Sequence, residues 1–580
     1  MSAERLLKLY ERVADGVDAI TRLRRFTLNL AVCGKLVPQE AKDEPASELL
    51  KKIQRNREHR RKFADLNPEE LEPPLPYIPA GWIWTVVDQI SNDDDNAITD
   101  GPFGAHLKTE HYISSPGFRV IRLQNIGQGT FRDEHRSFID KVRFDSLPKH
   151  HVKAGDLIVA GLVDPAIRCC ELPSDIGPAL VKADCYRLSV HPMIVSRYAL
   201  QYLNSPIAQE FASVHHHGMT LTRIGLGNFR QVPLPLPPLS EQHRIVAKVD
   251  ELMALCDRLD AARTQREAAR DRLAVASLAR LNVPDSEKFH DDVRFALDAL
   301  PVVTARADQI KLLRQTILNL AVRGKLAPQN LRDEPINVTL RKAIARRAAL
   351  IRSKKIRQKK LDGYADLAAD GELPASWTLE RLGNLVDPEH TISYGVLVPG
   401  EDVPDGVPFV RAQDLALSSH PDRPNKTISP EIEKAYARTR LRGGEILVCV
   451  VGSIGKLGIA PQSWAGANIA RAVARILPIP EILREYLLIV LRGEPVQSYF
   501  KETTRTLAQP TLNVGLIEQT PIPLAPLAEQ HRIVAKVDEL MSLCDRLEAS
   551  LATGDDTRRR LLDALLAEAL APAETREKAA

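Results

Sequence analysis

One segment of nineteen residues occurs twice in this chain, almost unchanged. Glu241 to Leu259 reads EQHRIVAKVDELMALCDRL, and Glu529 to Leu547 differs from it only by Ser542 in place of Ala254. Apolar side chains recur at alternating spacings of four and three, which predicts a helix with one apolar stripe facing a partner helix. Because a proline-rich segment precedes each copy, the pattern favours a protein built twice. A duplicated helical hairpin inside a larger core is the alternative.

The predicted stripe defines a candidate interface between helices and with partner subunits. Charged residues lie between the stripe positions and would form the outer surface of the helices. The two cysteines of the repeat, Cys256 and Cys544, lie on the stripe, so we interpret them as packing residues. The other stripe residues are Ile245, Val249, Leu252 and Leu259 in the first copy, and Ile533, Val537, Leu540 and Leu547 in the second.

A second repeated segment precedes each globular region. Leu28 to Gln39 reads LNLAVCGKLVPQ and Leu318 to Gln329 reads LNLAVRGKLAPQ, and Asp-Glu-Pro follows both. The Gly-Lys pairs at 34–35 and 324–325 predict helix C-termini, where glycine accepts a left-handed turn and lysine faces the negative helix end. A basic segment follows in each half, KKIQRNREHRRK from Lys51 and RKAIARRAALIRSKKIRQKK from Arg341. A solvated surface helix is the commoner explanation of such a segment, and a phosphate-facing helix is the alternative.

The order of the repeats predicts that the chain closes on itself. The central repeated helix is followed by its own GKL helix and basic helix, whereas the C-terminal one ends the chain. The matching segments occur at the N-terminus instead. We therefore expect a cyclic arrangement with approximate two-fold symmetry, in which residues 1–70 pack alongside the C-terminal helix. Deletion of residues 1–60 should then destabilise the C-terminal helix and spare the central one.

Short, mixed periodicity punctuated by glycine and proline separates the helical parts. It begins near Trp82 and Trp377 and is typical of α/β domains of about 150 residues. The predicted fold class is mixed α/β, with two globular α/β domains separated by two long antiparallel coiled-coil helical regions. The predicted parts are an N-terminal helical segment (1–75), globular domain 1 (76–238), a central helical region (239–372), globular domain 2 (373–526) and a C-terminal helix (527–580).

Composition limits the classes of function. A chain of 580 residues is too long for one core. Because its net charge is only +4, any nucleic-acid surface must be local. Seven cysteines without spaced CxxC pairs indicate a reduced, cytoplasmic protein. No apolar segment reaches the length of a membrane span, so we expect no membrane association.

The residues do not form a pattern typical of catalysis. Gly452 to Leu457 has glycines too close together for a phosphate loop, and leucine stands where a magnesium ligand is needed. His215 to His217 would point to opposite faces of a strand, which disfavours a metal site. The repeated His243 and His531 have no paired carboxylate for acid–base work. No methyl-donor loop, target-amine motif, helicase motif or nuclease motif is present, so we predict no catalytic residue and no metal site.

The remaining candidates are residues suited to DNA binding. Glycines allow a backbone to approach phosphate closely, basic side chains neutralise its charge, and amide or carboxylate side chains can read base edges. Each could also be an ordinary surface residue, but similar sets occur in both globular regions. In the first region they are Gly101, Phe103, Gly104, Lys108, Arg122, Gln124 and Asn125. In the second they are Tyr394, Arg411, Gln413, Asp414, Ser453 and Lys456.

These motifs together resemble the specificity subunits of type I restriction–modification enzymes. The resemblance covers nearly the whole chain and rests on the PLxPLxEQHRIVAKVDELM segments, the GKLxPQ segments with DEP, the ITDGPFGAHLK loop and the GEILVCVVGSIGKLG segment. The first half departs from the family at this last segment, since Gly155 to Pro165 has no Ser-Ile-Gly turn.

The resemblance implies a non-catalytic subunit in which each recognition domain reads one half of an asymmetric, bipartite site in double-stranded DNA. It also implies helical regions that recruit two methyltransferase subunits and, through them, restriction subunits. S-adenosylmethionine, ATP and magnesium would belong to those partners and not to this chain. A coiled-coil scaffold with two protein-binding domains is the rival interpretation, which loss of sequence-specific DNA retention would favour.

Overall fold

The computed structural model describes residues 16, 18–55, 75–162, 167–217, 222–282, 288–356, 373–504 and 510–570. The chain divides into two compact units, residues 1–265 with 555–580, and residues 266–554. Each unit contains mixed sheets and helices together with parts of both long helices. The predicted mixed α/β fold class, with two globular domains and long helical regions, is confirmed.

The first unit begins with two helices, α1 (Ala19–Val32) and α2 (Ala46–Arg55). Its strands are β1 (Ile83–Val86), β2 (Ile98–Thr99), β3 (Tyr112–Ile113), β4 (Phe118–Ile121), β5 (Phe138–Ile139), β6 (His151–Val152), β7 (Leu157–Ala160), β8 (Arg168–Glu171), β9 (Ala179–Val181), β10 (Cys185–Leu188), β11 (His216–His217), β12 (Arg223–Ile224) and β13 (Pro233–Leu236). Its shorter helices are α3 (Lys141–Asp145), α4 (Ser196–Leu203), α5 (Pro206–Val214) and α6 (Leu226–Arg230), and the long α7 (Leu239–Asn282) follows β13.

The strands of the first unit form two main sheets. One has the order β2-β10-β7-β8, and all residues of β7 are buried, as its unbroken apolar sequence requires. The other has the order β3-β5-β4-β9-β6, in which β4 and β9 run parallel. Strands β1 and β13 pair antiparallel where the domain begins and ends. The end of β13 therefore leads directly into α7.

The second unit contains helices α8 (Phe289–Val303), α9 (Ala307–Val322) and α10 (Ile336–Arg352). Its strands are β14 (Thr378–Arg381), β15 (Ser393–Tyr394), β16 (Val407–Val410), β17 (Lys426–Ile428), β18 (Ile446–Cys449), β19 (Leu457–Ile459), β20 (Asn468–Ile469), β21 (Val473–Ile476) and β22 (Pro521–Leu524). Helices α11 (Pro430–Ala435), α12 (Arg484–Arg492), α13 (Glu494–Thr504) and α14 (Val514–Gln519) lie among them, and α15 (Leu527–Leu570) follows β22.

The sheets of the second unit repeat the plan of the first. The order β15-β21-β18-β19 corresponds to β2-β10-β7-β8, and β14 pairs with β22 as β1 pairs with β13. The second sheet is smaller, β17-β16-β20, and again has one parallel pair, β16 with β20. The frame of the domain is therefore duplicated, while its second sheet differs between the copies.

The two long helices have 44 residues each and match the predicted helices closely. In the first unit α1 runs antiparallel to the first half of α7, with ion pair Arg24–Asp257 at 2.7 Å and Gln39 donating to Glu241 at 2.6 Å. In the second unit α9 runs antiparallel to the first half of α15, and Arg314 pairs with Asp545 at 2.7 Å. Each short helix is therefore the partner that the apolar stripe predicted.

The second unit also holds the end of α7. Arg306 at the start of α9 pairs with Asp271 at 2.6 Å, and Leu320 near its end packs with Leu278 and Leu281. Helix α9 thus runs parallel to α7 and antiparallel to α15. Within this unit the two long helices are consequently antiparallel to each other, as predicted.

The apolar stripe is only partly shared with the short helices. Ile245, Val249, Ile533 and Val537 are buried in the core of their own unit, which also includes residues of the globular domain. These side chains pack within the chain and do not face another subunit. Leu252, Leu259 and Leu540 are half-buried. Leu547 is 39% exposed, so its predicted place on the stripe is wrong. Cys544 is the last residue of the predicted stripe in α15 that is fully buried.

The chain closes on itself within the first unit, as predicted. Ala19 of α1 packs with Leu562 and Leu565 of α15, and Arg22 pairs with Asp563. The expectation that residues 1–60 leave the central helix independent is wrong. Helix α1 and the segment after it also contact the first half of α7, because α1 lies between the start of one long helix and the end of the other.

The Gly-Lys pairs end helices as predicted. Gly34 and Gly324 have φ of +64° and +67°, and the next N–H donates to the carbonyl five residues back, Lys35 to Leu30 and Lys325 to Leu320, both at 2.9 Å. The basic segment in α10 lies on the surface of its own domain, where Arg346 pairs with Glu481 at 2.9 Å. Residues 56–62 and 357–360 of the basic segments lie outside the described residues.

The repeated Glu-Gln-His-Arg sequence joins each long helix to its domain. The Gln242 side chain accepts from Val195 N at 3.0 Å and donates to Pro237 O at 3.0 Å. Gln530 makes the same two bonds to Leu483 N and Ala525 O, both at 2.9 Å. Burial raises the pKa of Glu241 and of Glu529. Much of the repeat is therefore explained by packing inside each unit.

Candidate nucleic-acid interface

The first candidate turn follows β4 and contains Arg122, Gln124 and Asn125. The Asn125 side chain accepts from Arg122 N at 3.0 Å and donates to Arg132 O at 2.9 Å and Glu134 O at 2.7 Å. It is fully buried. The prediction that Asn125 reads bases is therefore wrong, because its amide closes the turn. Gln124 lies between these partners and is exposed.

The second candidate turn follows β16 and is built in the same way. The Asp414 carboxylate accepts from Arg411 N at 2.8 Å and also from the Arg411 guanidinium, with two bonds of 3.2 Å. Asp414 thus closes the turn and neutralises Arg411, so the prediction that it reads bases is contradicted. Gln413 is exposed, like Gln124 in the first domain.

Two glycines bring the neighbouring loops against the strand ends. A Cβ on Gly101 would lie 2.0 Å from the carbonyl carbon of Lys182, and one on Gly395 would lie 1.6 Å from the Ile469 oxygen. Only glycine allows this close approach. Gly101 is therefore required for packing of the protein backbone, a reason different from the phosphate approach that the sequence suggested.

The rest of the first loop presents side chains to solvent. Phe103 is 49% exposed, and Gly104 follows it with φ +56° and no atom near its missing side chain. The Lys108 side chain is exposed and lies 3.8 Å from Glu110. An exposed aromatic ring and a cation on one loop suit contact with a nucleic acid.

In the second domain two predicted segments meet. Lys456 Nζ donates to Ala412 O at 3.2 Å and to Gln413 O at 3.3 Å, which places the Gly-Ser-Ile-Gly-Lys turn beside the Gln413 turn. Ser453 is exposed on the same turn. Tyr394 instead anchors its loop, since its hydroxyl donates to Leu512 O at 3.0 Å and burial raises its pKa.

Sequence reasoning missed two residues beside Arg122. Lys182 Nζ lies 5.4 Å from the centre of the Tyr112 ring, and the Arg122 guanidinium lies 5.9 Å from it. Lys182 is brought there by the parallel pairing of β4 with β9, in which Ile121 faces Val181. Nothing in the local sequence predicts this pairing, because the two strands are far apart in the chain.

The exposed side chains can contact DNA in two ways. Cations and a hydroxyl can bind phosphate, while glutamine amides can read base edges.

Within the described residues, no group of three or more His, Cys, Asp or Glu side chains is placed to hold a metal ion. His216 and His217 form strand β11, but their side chains lie outside what the structure describes. No helix in the described ranges combines the length and apolar character needed to cross a bilayer.

Comparison with known proteins connects this architecture to one family. Residues 174–266 and 400–553 match the family model for the type I restriction modification DNA specificity domain. The specificity subunit of the Escherichia coli type I restriction enzyme EcoAI is 27% identical over 94% of this chain and 93% of its own length. The chain is therefore similar, over nearly its whole length, to specificity subunits of type I restriction enzymes. The EcoEI specificity subunit, also from Escherichia coli, is 26% identical over 95% of this chain and 94% of its own length.

The two matched segments end at equivalent positions of the repeat, although the second one starts earlier in its domain than the first. Each starts inside a globular domain and ends beyond the middle of a long helix, α7 or α15. A solved HsdS subunit from Thermoanaerobacter tengcongensis aligns with 85% of this chain and 98% of its own, at 19% identity and a TM-score of 0.41.

Proposed function

We propose that this chain is a specificity subunit, which directs a type I restriction–modification complex to an asymmetric, bipartite site in double-stranded DNA. Each recognition domain reads one half of the site, and the helical regions recruit two methyltransferase subunits and, through them, restriction subunits. The chain itself performs no catalysis; S-adenosylmethionine, ATP and magnesium act in its partners, in the cytoplasm.

The observation that carries the proposal is a duplicated frame with different exposed side chains. Both domains keep the turn closed by residue 125 or 414 and the glycine packed at 101 or 395. Around these fixed points, the first domain presents Phe103 and Lys108, whereas the second presents Ser453 and Lys456. Two surfaces built on one frame but differing in chemistry suit two different half-sites.

An exposed face of the long helices supports the recruitment of one partner twice. On α7 this face is identical to its copy on α15 although its side chains are exposed in both. Contacts inside the chain explain identity at buried positions but not on this face. It consists of His243, Ala247, Glu251, Leu255 and Arg258, repeated as His531, Ala535, Glu539, Leu543 and Arg546.

The DNA-reading part is tested by exchanging one domain. Residues 76–238 are replaced by the corresponding domain of another specificity subunit, and the chain is expressed with its methyltransferase subunit. Sequencing of methylated adenines in cellular DNA should show one half of the motif changed and the other retained. Change in both halves, or a continuous motif, would refute two independent readers.

The recruitment part is tested on the exposed leucines. Leu255 is 43% exposed and Leu543 is 38% exposed. Leu255→Arg should leave one methyltransferase bound per chain instead of two in native mass spectrometry, and Leu543→Arg should do the same. The control is Val275→Arg on α7, since Val275 is 59% exposed but has Asp563 as its counterpart. Two methyltransferases bound to both leucine variants would contradict this docking face.

A further inference from the structure

Three separate segments of the first domain bring two cations to one aromatic ring. Tyr112 lies in β3, Arg122 follows β4 and Lys182 follows β9. The ammonium of Lys182 is 5.4 Å from the Tyr112 ring centre, and the guanidinium carbon of Arg122 is 5.9 Å from it. Attraction of a cation to an aromatic ring is worth on the order of 0.5–1 kcal/mol at exposed sites. Both cations therefore lie close to the same ring.

Neither cation of this cluster forms an ion pair within the described residues. Among the residues that the structure describes, no carboxylate lies within ion-pair distance of Arg122 or Lys182. Both residues are half-buried, where like charges repel more strongly than in water. An anion placed between the two cations would relieve that repulsion.

The environment of the Tyr112 hydroxyl indicates which part of this side chain contributes to the cluster. It is buried and has no hydrogen-bond partner within the described part of the chain. A buried hydroxyl without a partner costs stability. Its ring, and not its hydroxyl, is therefore the part that serves the cluster, which makes Tyr112 a positioning residue.

At the two positions that correspond to Arg122 and Lys182, the second domain has a neutralised arginine and an alanine. Arg411, the counterpart of Arg122, is neutralised by Asp414, whereas Arg122 has the uncharged Asn125 at that place. The register of the sheets gives the counterpart of Lys182. Thr99 pairs with Arg187 and Ser393 with Arg475, and counting back five residues from each arginine reaches Lys182 and Ala470.

We infer that Arg122 and Lys182, positioned by Tyr112, together bind one backbone phosphate of duplex DNA, and that the corresponding position of the second domain makes no such contact. This inference rests on the proposed DNA-reading function. The two domains would thus share one frame but differ in phosphate binding at this position. One phosphate oxygen can accept from the guanidinium while another accepts from the ammonium, which are charge-assisted hydrogen bonds.

The test is the salt dependence of binding to a mixed-sequence 30-base-pair duplex by the full chain. Each phosphate contact contributes about 0.9 to the slope of log affinity against log salt. Arg122→Gln and Lys182→Gln should each weaken binding about tenfold, as expected for one charge-assisted hydrogen bond. The double variant should lower the slope by about 0.9, not twice that, because one phosphate is shared. Tyr112→Phe should leave binding unchanged, and Tyr112→Leu should weaken it like the cation variants.

The second domain supplies the matched control. Arg411→Gln should leave affinity and slope unchanged, since Asp414 already neutralises that arginine. Asp414→Asn should free Arg411, tighten binding and raise the slope, and Arg411→Gln in that background should remove the gain. Circular dichroism melting identifies any variant that fails to fold, and the gain in Asp414→Asn cannot come from misfolding.

The outcomes separate this inference from the proposed function. If the wild-type chain binds the duplex and the Arg122/Lys182 double variant keeps the wild-type slope, the shared phosphate site alone is overturned. Equal losses from Arg411→Gln and Arg122→Gln overturn the asymmetry between the domains. A wild-type chain that binds no duplex, alone or with its methyltransferase subunit, overturns the proposed function as well.

Discussion

Replacement of Gly34 by alanine tests how the short helices are joined to the recognition domains. Gly34 ends α1 with φ +64°, and a Cβ there would lie 2.3 Å from Pro79 Cγ and 3.2 Å from the Trp82 ring. Gly324 has the same surroundings in the second unit, with Pro374 Cγ at 2.5 Å and the Trp377 ring at 3.2 Å. We expect Gly34→Ala to separate the helix end from the domain that it supports.

The cost has two parts that a second glycine separates. A left-handed backbone costs a non-glycine residue roughly 1–2 kcal/mol. Gly104 has φ +56° and open space around its missing side chain, so Gly104→Ala should lose only this amount. At Gly34 the collision with a rigid proline ring adds about 1–3 kcal/mol of overpacking. Gly34→Ala should therefore destabilise the protein by roughly 2–5 kcal/mol.

Urea unfolding followed by tryptophan fluorescence and circular dichroism measures both variants. The Trp82 ring lies beside the substituted position, so its emission should change before the bulk of the helix unfolds. Equal losses for Gly34→Ala and Gly104→Ala would refute the collision and leave backbone strain as the whole effect. A Gly34→Ala variant as stable as the wild type would refute both parts of the reasoning.

Other perturbations have equally definite outcomes. Leu540→Asp places a charge on the half-buried side of α15 and should cost roughly 2–4 kcal/mol in urea unfolding, whereas Leu543→Asp on the exposed side should be neutral; equal effects would contradict the assigned faces. Deletion of residues 1–60 should raise hydrogen exchange in both 241–259 and 562–566, and protection retained in either segment would contradict the contacts of α1 with it. Burial raises the pKa of Cys170 to about 12, so its thiolate is scarce at pH 8 and a disulfide reagent should modify it only after unfolding; fast labelling of the native chain would show that the thiol is accessible.

The helical part of the fold could be predicted from the sequence because its signals are local and repeated. The spacing of Ile245 and Val249 identified α7, and Gly34 and Gly324 marked helix ends. The partner of each helix was harder to predict. Chain order suggested that α1 belongs with α15, but the structure places it against α7 as well, because a helix between two others buries two faces.

The candidate site was predicted only in part, and the reason is chemical. Asparagine and aspartate can read base edges, but they also close turns by accepting from a backbone N–H. The sequence does not distinguish these uses, and at Asn125 and Asp414 the turn prevails. Lys182 escaped notice because only the parallel pairing of β4 with β9 brings it to Arg122.

The way in which the two turns are closed bears on how recognition can change over evolution. The side chains that hold each turn bond to main-chain groups at their N-terminal arginine, and those bonds do not depend on the residue in the middle. Position 124 or 413 can therefore mutate without refolding the loop around it. A protein whose DNA preference must diverge from that of its relatives can explore new preferences there one substitution at a time, while the scaffold stays intact.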